Sequence, residues 1–169
     1  MTICKRVFAA IAFGAGSVFS VIWLGYPALA APETCADFTL TRNNDSRTVK
    51  FVDHGPEGVS VGDQRIGYLR LQDETGKDVG ELRWIATVVE VDETTGETKT
   101  SSMNFITLPG GVIHSVRPAE ATLTSASSET ERNTTGDHII IGGTGIFAKA
   151  SGSMSRVGKE IHEFKVSCD

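Results

Sequence analysis

The sequence has little cysteine: three residues in 169, Cys4, Cys35 and Cys168. Neither they nor the four scattered histidines show the close ligand spacing of a metal site, so no metal centre is expected. It also lacks a basic cluster. Sixteen lysines and arginines are outnumbered by 21 acidic residues, giving a net charge of −5. That balance argues against nucleic acid or an anionic membrane as partner. No window of a dozen residues carries a strong helical stripe, which leaves out long helices. There is no internal repeat, linker or second domain, no nucleophile elbow and no sequence arrangement that reads as a catalytic triad. No cofactor is expected.

Long apolar runs are confined to the start of the chain. Lys5 and Arg6 precede an uncharged, largely apolar stretch over residues 7–24; Pro27 breaks it, and Ala28-Leu29-Ala30 supplies a small–x–small pattern. This is the layout of a secretory signal, residues 1–30, with cleavage expected after Ala30 and Ala31 as the alternative. The competing reading is an uncleaved anchor, since the run is about long enough to span a bilayer. Gly14, Gly16, Ser17 and Ser20 weaken it as a span. A lipoprotein does not fit, because Pro32-Glu33-Thr34 precede Cys35. The expected product is residues 31–169, secreted or periplasmic, one domain with one core and no stable membrane insertion after cleavage. Cleavage removes two basic residues and no acidic one, taking the net charge from −5 to −7.

Cys4 leaves with the signal. Cys35 and Cys168 remain near the two ends, and an oxidising compartment predicts a disulfide between them; two unrelated buried thiols are the alternative.

The remaining sequence has a period of two. Phe38 and Leu40, then Val49 and Phe51, alternate with polar residues; Ile66, Tyr68 and Leu71 continue less regularly. Leu82, Trp84, Ala86 and Val88 share one face of a long strand, and Met103, Phe105 and Thr107 form the next alternation. Turn signals fall between them: Asp73 to Asp78, Asp92 to Glu97, and Pro109-Gly110-Gly111. The pattern predicts an all-β fold, an eight-stranded antiparallel up-and-down barrel whose closure removes the sheet edges. Asn43-Asn44-Asp45-Ser46 reads as a loop, and residues 125–136 as a mobile loop at one barrel mouth. Asn44-Asp45-Ser46 and Asn133-Thr134-Thr135 match the glycosylation pattern, which matters only in a eukaryotic secretory pathway.

The most specific segment is His138-Ile139-Ile140-Ile141-Gly142-Gly143-Thr144-Gly145-Ile146-Phe147-Ala148-Lys149-Ala150-Ser151-Gly152. A phosphate-binding loop is rejected, because no Lys-Ser or Lys-Thr and no helix pattern follow; the glycines read instead as a sharp turn between barrel strands. The segment resembles the GGTG-x-F-x-x-A-x-G signature of dirigent proteins and the matching region of allene oxide cyclases. Val61-Gly62-Asp63, Leu71, Asp73 to Gly76 and Val79-Gly80 follow the allene oxide cyclase order, and Phe105 to Gly111 fits the central hairpin. The resemblance spans residues 59–166 and implies an eight-stranded barrel, here a secreted and bacterial representative, whose interior holds one apolar small molecule. It further implies cyclisation, isomerisation or steered coupling by conformational control. A lipocalin-like carrier and an interaction or inhibitor scaffold with a filled barrel are the alternatives.

No catalytic residue of these families carries over. The strand cysteine of allene oxide cyclases falls at Ala86, and their glycine at Trp84, so an indole is expected in part of the cavity. Leu82, Trp84, Ala86, Val88 and Phe105 are the expected ligand-binding residues. His54, His114, His138 and His162 are candidate bases weighed against surface or hydrogen-bonded roles. Arg65, Arg70 and Arg83 are candidates for holding a carboxylate at a barrel mouth, against a solvated sheet face. Asp63 and Asp137 are expected to cap turns. Oligomeric state is left open.

Overall fold

The computed structural model describes residues 34–123 and 137–169. The signal segment, its cleavage site and the 125–136 loop lie outside the described residues.

Eight strands run in chain order: β1 Phe38–Val52, β2 Gln64–Gln72, β3 Asp78–Val91, β4 Thr98–Leu108, β5 Gly111–Leu123, β6 His138–Gly143, β7 Ser151–Val157 and β8 Ile161–Ser167. Each pairs antiparallel with the next, and β8 returns to β1, closing an up-and-down barrel. The closing seam matches Phe38 with Phe164 and Thr41 with Ile161. Closure gives every strand a neighbour on both sides, so the barrel has no edge strand of the kind an open sheet has to protect. Just beyond the seam, Cys35 and Cys168 are joined by a disulfide, with Cα atoms 6.0 Å apart. The bond ties the two chain ends where first and last strands become neighbours, as their placement predicts.

Alternation holds along the strands. In β4 the odd positions Lys99, Met103 and Thr107 are exposed, while Thr100, Ser102, Asn104, Ile106 and Leu108 are buried. One end of the barrel is packed solid. Leu40, Leu69, Leu71, Ile106, Ile113, Met154 and Phe164 fill it, and Phe147 reaches in from the short 3-10 turn Gly145–Phe147. Phe38 stacks on Phe164 with ring centroids 4.4 Å apart. Each such side chain fully removed from water contributes roughly 1.5–3 kcal/mol.

The glycine-rich segment belongs to this closed end. Thr144 N–H donates to the Val112 carbonyl (2.8 Å) and Ile146 N–H to the Gly110 carbonyl (3.0 Å). Gly145 sits at φ +62°, and a Cβ there would strike the Gly110 carbonyl oxygen. The glycines therefore let two turns press backbone to backbone, and the loop caps the barrel.

One expectation is corrected. Asn43-Asn44-Asp45-Ser46 is not a loop: β1 runs unbroken through it. Register with β2 jumps there, from Asn43 opposite Arg70 to Thr48 opposite Tyr68. The excess residues form a large bulge, four residues of β1 against one of β2. Ser46 holds it, its hydroxyl donating to the Asn43 carbonyl (2.7 Å) and accepting from Arg70 N–H (2.8 Å). The polar run looked like a loop because a bulge needs the same short hydrogen-bonding side chains.

Candidate functional site

The inward face of nearly every strand changes character along its length. From the closed end, β2 presents Leu71, Leu69, Gly67 and then Arg65. β5 presents Ile113, Ser115 and Arg117; β7 passes from Met154 to Arg156, and β8 from Phe164 to His162. Antiparallel order turns these local changes into one global division, an apolar plug at one end and a polar cavity at the other. The cavity holds about 170 Å³. Its described lining includes Arg42, Arg47, Arg65, Arg117 and Arg156, with His138 and His162, and no acidic residue.

The bulge in β1 explains how one strand contributes two of these guanidinium groups. Inserting residues between Asn43 and Thr48 resets the alternation, so both Arg42 and Arg47 line the interior. Arg42 is then fixed from outside its own strand. Its Nη1 donates to the Lys159 carbonyl at 3.3 Å, and Arg156 Nη2 donates to the same oxygen at 2.9 Å. Two like charges thus share one anchor at the β7–β8 turn. Burial lowers the Arg42 pKa to about 10, with Arg156 and then Arg47 adding to it. Burial, then Arg47, lowers that of Arg156 as well.

His162 lies beside this pair, opposite Arg156 in the β7–β8 ladder. It is 6% exposed, and neither ring nitrogen has a hydrogen-bond partner among the described residues. Burial, followed by Arg42, Arg156 and His138, drives its pKa down to about 3. The ring is neutral at physiological pH, one nitrogen a donor and the other an acceptor.

β4, β5 and β6 build a second polar group. Asn104 Nδ2 donates to Ser115 Oγ at 3.1 Å and meets His138 Nδ1 at 2.5 Å. With the amide so turned, His138 Nδ1 accepts and Nε2 carries the proton. Burial, then Arg117, lowers the His138 pKa to about 4, against an opposing pull from Asp137. Ser102 Oγ and Arg117 Nε are buried without a partner among the described residues.

The apolar wall comes from β3, where Leu82, Trp84 and Ala86 line the cavity. Trp84 stands opposite Gly67 of β2, and a Cβ on Gly67 would collide with the indole ring. Gly67 is thus the space into which the indole lies, leaving the cavity unfilled beside it.

Three of the five expected ligand-binding residues therefore line the cavity. Val88 shares their face and is buried, but lies outside the lining. Phe105 is a correction: it falls on the outer parity of β4, half-buried and edge-on to His114 at 5.4 Å. Of the arginine candidates, Arg65 lines the cavity. Arg70 and Arg83 lie outside, Arg70 paired with Asp78 and Arg83 with Glu81 and over the Tyr68 ring. Of the histidines, His138 and His162 are brought together, His114 faces outward and His54 is exposed in the β1–β2 loop. Asp63 is structural: fully buried, it accepts from His54 N–H (2.9 Å) and Ser60 N–H (2.7 Å), which lower its pKa. Asp137 is exposed and accepts from Ser155 Oγ. The sequence reading missed Arg42, Arg47, Arg117, Arg156, Ser102 and Asn104. For most of these the available signal was parity, a polar residue two positions from a core residue on the same strand.

No family model matches the chain, and no curated protein does. Among solved structures, a pyocyanin demethylase is 27% identical with a TM-score of 0.55; the match covers 78% of this chain and all of that one. The Diels-Alderase AbmU from Streptomyces koyangensis is 14% identical with a TM-score of 0.51, over 76% of this chain and 64% of its own. A structure described as a nonspecific heme-binding cyclase that catalyses a 4 + 2 cycloaddition in neoabyssomicin biosynthesis has the same identity and TM-score, over 79% and 64%. The chain thus spans under two thirds of either cyclase, and that likeness is one of fold. What is shared is a small closed barrel, and it is not specific to allene oxide cyclases or dirigent proteins.

Proposed function

We propose that residues 31–169 form an exported barrel that takes one small organic anion with an apolar body into its cavity and steers its isomerisation or cyclisation without covalent attachment. The observation that carries this reading is the composition of the cavity wall: basic and neutral polar groups around an indole-and-aliphatic strip, with no acidic residue in the described lining. A guanidinium in a site of reduced dielectric attracts an anion far more strongly than one in water. The apolar strip then selects ligands with a body to bury. A purely apolar ligand, as the resemblance implies, would leave the buried donors of Arg117 and Ser102 unmatched, which is costly.

Conversion is preferred over simple carriage because two neutral imidazoles stand inside the cavity with fixed cations nearby. The imidazoles can orient a bound molecule by hydrogen bonds, and the cations can stabilise the negative charge that develops. The 27% identity to a protein named for demethylating pyocyanin, over that protein's whole length, supports a small-molecule substrate in a barrel of this size. A scaffold with a filled barrel is disfavoured by the open volume beside Trp84.

Trp84 is the only tryptophan in residues 31–169, so its fluorescence reports on the cavity. Titration with benzoate and with benzamide, at two ionic strengths, tests the reading. Benzoate should quench Trp84 saturably and benzamide should not. Equal binding of the two, or binding of neither, removes the anion reading.

A further inference from the structure

The two polar groups of the cavity come from two runs of strands that adjoin where β6 pairs with β7. Arg156, His162 and Arg42 come from the contiguous strands β7, β8 and β1. Ser102, Asn104 and His138 come from β4 and β6, with Trp84 on β3 beside them. The first group carries two cations and one neutral imidazole, and no anion. Arg42 and Arg156 hang from one carbonyl oxygen, and His162 is buried between their strands with both nitrogens unpartnered among the described residues. The second group is neutral and already knit, with the Asn104 amide joined to Ser115 and His138.

We infer that the cavity reads its ligand at two points: an acid group received by Arg42, Arg156 and His162, and a second oxygen, hydroxyl or carbonyl, received by the Asn104–His138 pair. This deepens the reading that the cavity binds a small organic anion, and rests on it. The ligand class that follows is a compact aromatic or conjugated acid bearing an oxygen at its far end. A planar acid suits the first group, because two guanidiniums anchored side by side offer the forked N–H pairs that a carboxylate accepts. The unpartnered imidazole supplies a further donor. Size agrees with one or two rings: a cavity of about 150 Å³ accepts benzene, and this one holds about 170 Å³. The apolar body would lie along Leu82, Trp84 and Ala86. At the far end the ligand oxygen would accept from His138 Nε2–H, with the buried Ser102 hydroxyl free to reorient toward it.

The test uses the exported, disulfide-bonded protein and three probes: 4-hydroxybenzoate, benzoate and 4-hydroxybenzamide, each titrated by calorimetry and by Trp84 quenching. Wild type should prefer 4-hydroxybenzoate over both others by tenfold or more. Arg42→Met and Arg156→Met should abolish the preference over 4-hydroxybenzamide while leaving some preference over benzoate. His138→Leu should do the reverse. Removing a buried cation also relieves repulsion, so Arg42→Met should melt no lower than wild type, which separates a binding role from a structural one. If a Met variant fails to fold, Arg42→Lys keeps the charge but loses the fork, and should weaken 4-hydroxybenzoate while retaining the circular-dichroism spectrum. If wild type binds no aromatic acid, the anion reading itself falls. If wild type binds 4-hydroxybenzoate and the variants bind it unchanged, or both groups alter the same discrimination, the two-point assignment is overturned while anion binding stands.

Discussion

The two cavity histidines should make the barrel sensitive to mild acid, and the size of the effect follows from their surroundings. In the unfolded chain each imidazole takes a proton near its ordinary pKa of 6.5. In the fold, burial and neighbouring cations hold His162 near 3 and His138 near 4. Between these values the unfolded chain binds more protons than the native one, so stability falls as pH drops. Above pH 6.5 the penalty is absent; it grows through the window from 6.5 down to the folded values. At pH 4.5 each histidine should cost between about 2 and 3 kcal/mol relative to pH 7.5, together about 5 kcal/mol. That is comparable with the whole stability of many domains.

Urea titrations at pH 7.5 and 4.5, followed by Trp84 fluorescence, give the quantity directly. Wild type should lose about 5 kcal/mol from this source, His162→Leu and His138→Leu about half as much each, and the double variant almost none. Aspartates 63, 73, 78 and 92 also have pKa values lowered by hydrogen bonds, and their contribution is lost as pH falls below the ordinary carboxylate range. It is common to all four proteins, so the difference between wild type and double variant isolates the imidazoles. An equal loss in both would refute the claim that His138 and His162 are buried neutral beside cations.

Three further outcomes are expected. Reducing the Cys35–Cys168 bond, which spans a sequence separation of 133, should cost about 5 kcal/mol on the chain-entropy account, read as the change in urea-unfolding free energy with and without reductant; a change below about 1 kcal/mol would show that the closing seam suffices. Ala86→Phe should abolish 4-hydroxybenzoate binding by filling the cavity, whereas Phe105→Ala, on the outer face, should leave it within twofold; the opposite order in a titration would mean the faces of β3 and β4 are inverted. Amino-terminal sequencing of protein recovered from a periplasmic or culture fraction should begin at Ala31, and an intact amino terminus embedded in membrane would restore the anchor reading.

The barrel was legible in the sequence because its determinants are local. Leu82, Trp84, Ala86 and Val88 alternate over one strand, and turns such as Asp73 to Gly76 carry their own hydrogen-bonding residues: Asp73 accepts from Thr75 N–H at 2.8 Å and Thr75 Oγ1 at 2.6 Å. Closure was legible through Cys35 and Cys168, because only neighbouring first and last strands bring the two ends together. The β1 bulge was not, since four polar residues are written alike in a loop and in a bulge. Phe105 was misassigned for a related reason. The alternation Met103, Phe105, Thr107 is as regular as its complement Ser102, Asn104, Ile106, and hydrophobicity chose the face that the fold turns outward.

That last error points to why the cavity chemistry was hidden. A period-two reading assigns the inner face to apolar residues, so it works at the plugged end and fails where the interior is polar. Arg65 stands two places from Gly67 and four from Leu69; Arg117 stands two from Ser115 and four from Ile113; Arg156 and His162 stand two from Met154 and Phe164. Each looks like the polar end of a strand. Only the register of all eight strands shows that these ends meet at one height inside the barrel. A polar residue that continues the parity of a buried run is therefore informative, because its alternatives differ in cost. At a solvated strand end it costs nothing, but carried inward it must be matched by a partner or a ligand. Arg42, Arg65, Arg117 and Arg156 share that parity across strands that close on themselves, and the β1 bulge brings Arg47 in beside them, which is the arrangement the proposed anion would use. The sequence carries that arrangement in the phase of its arginines relative to its leucines, and the number of charges alone, on a chain of net negative charge, conceals it.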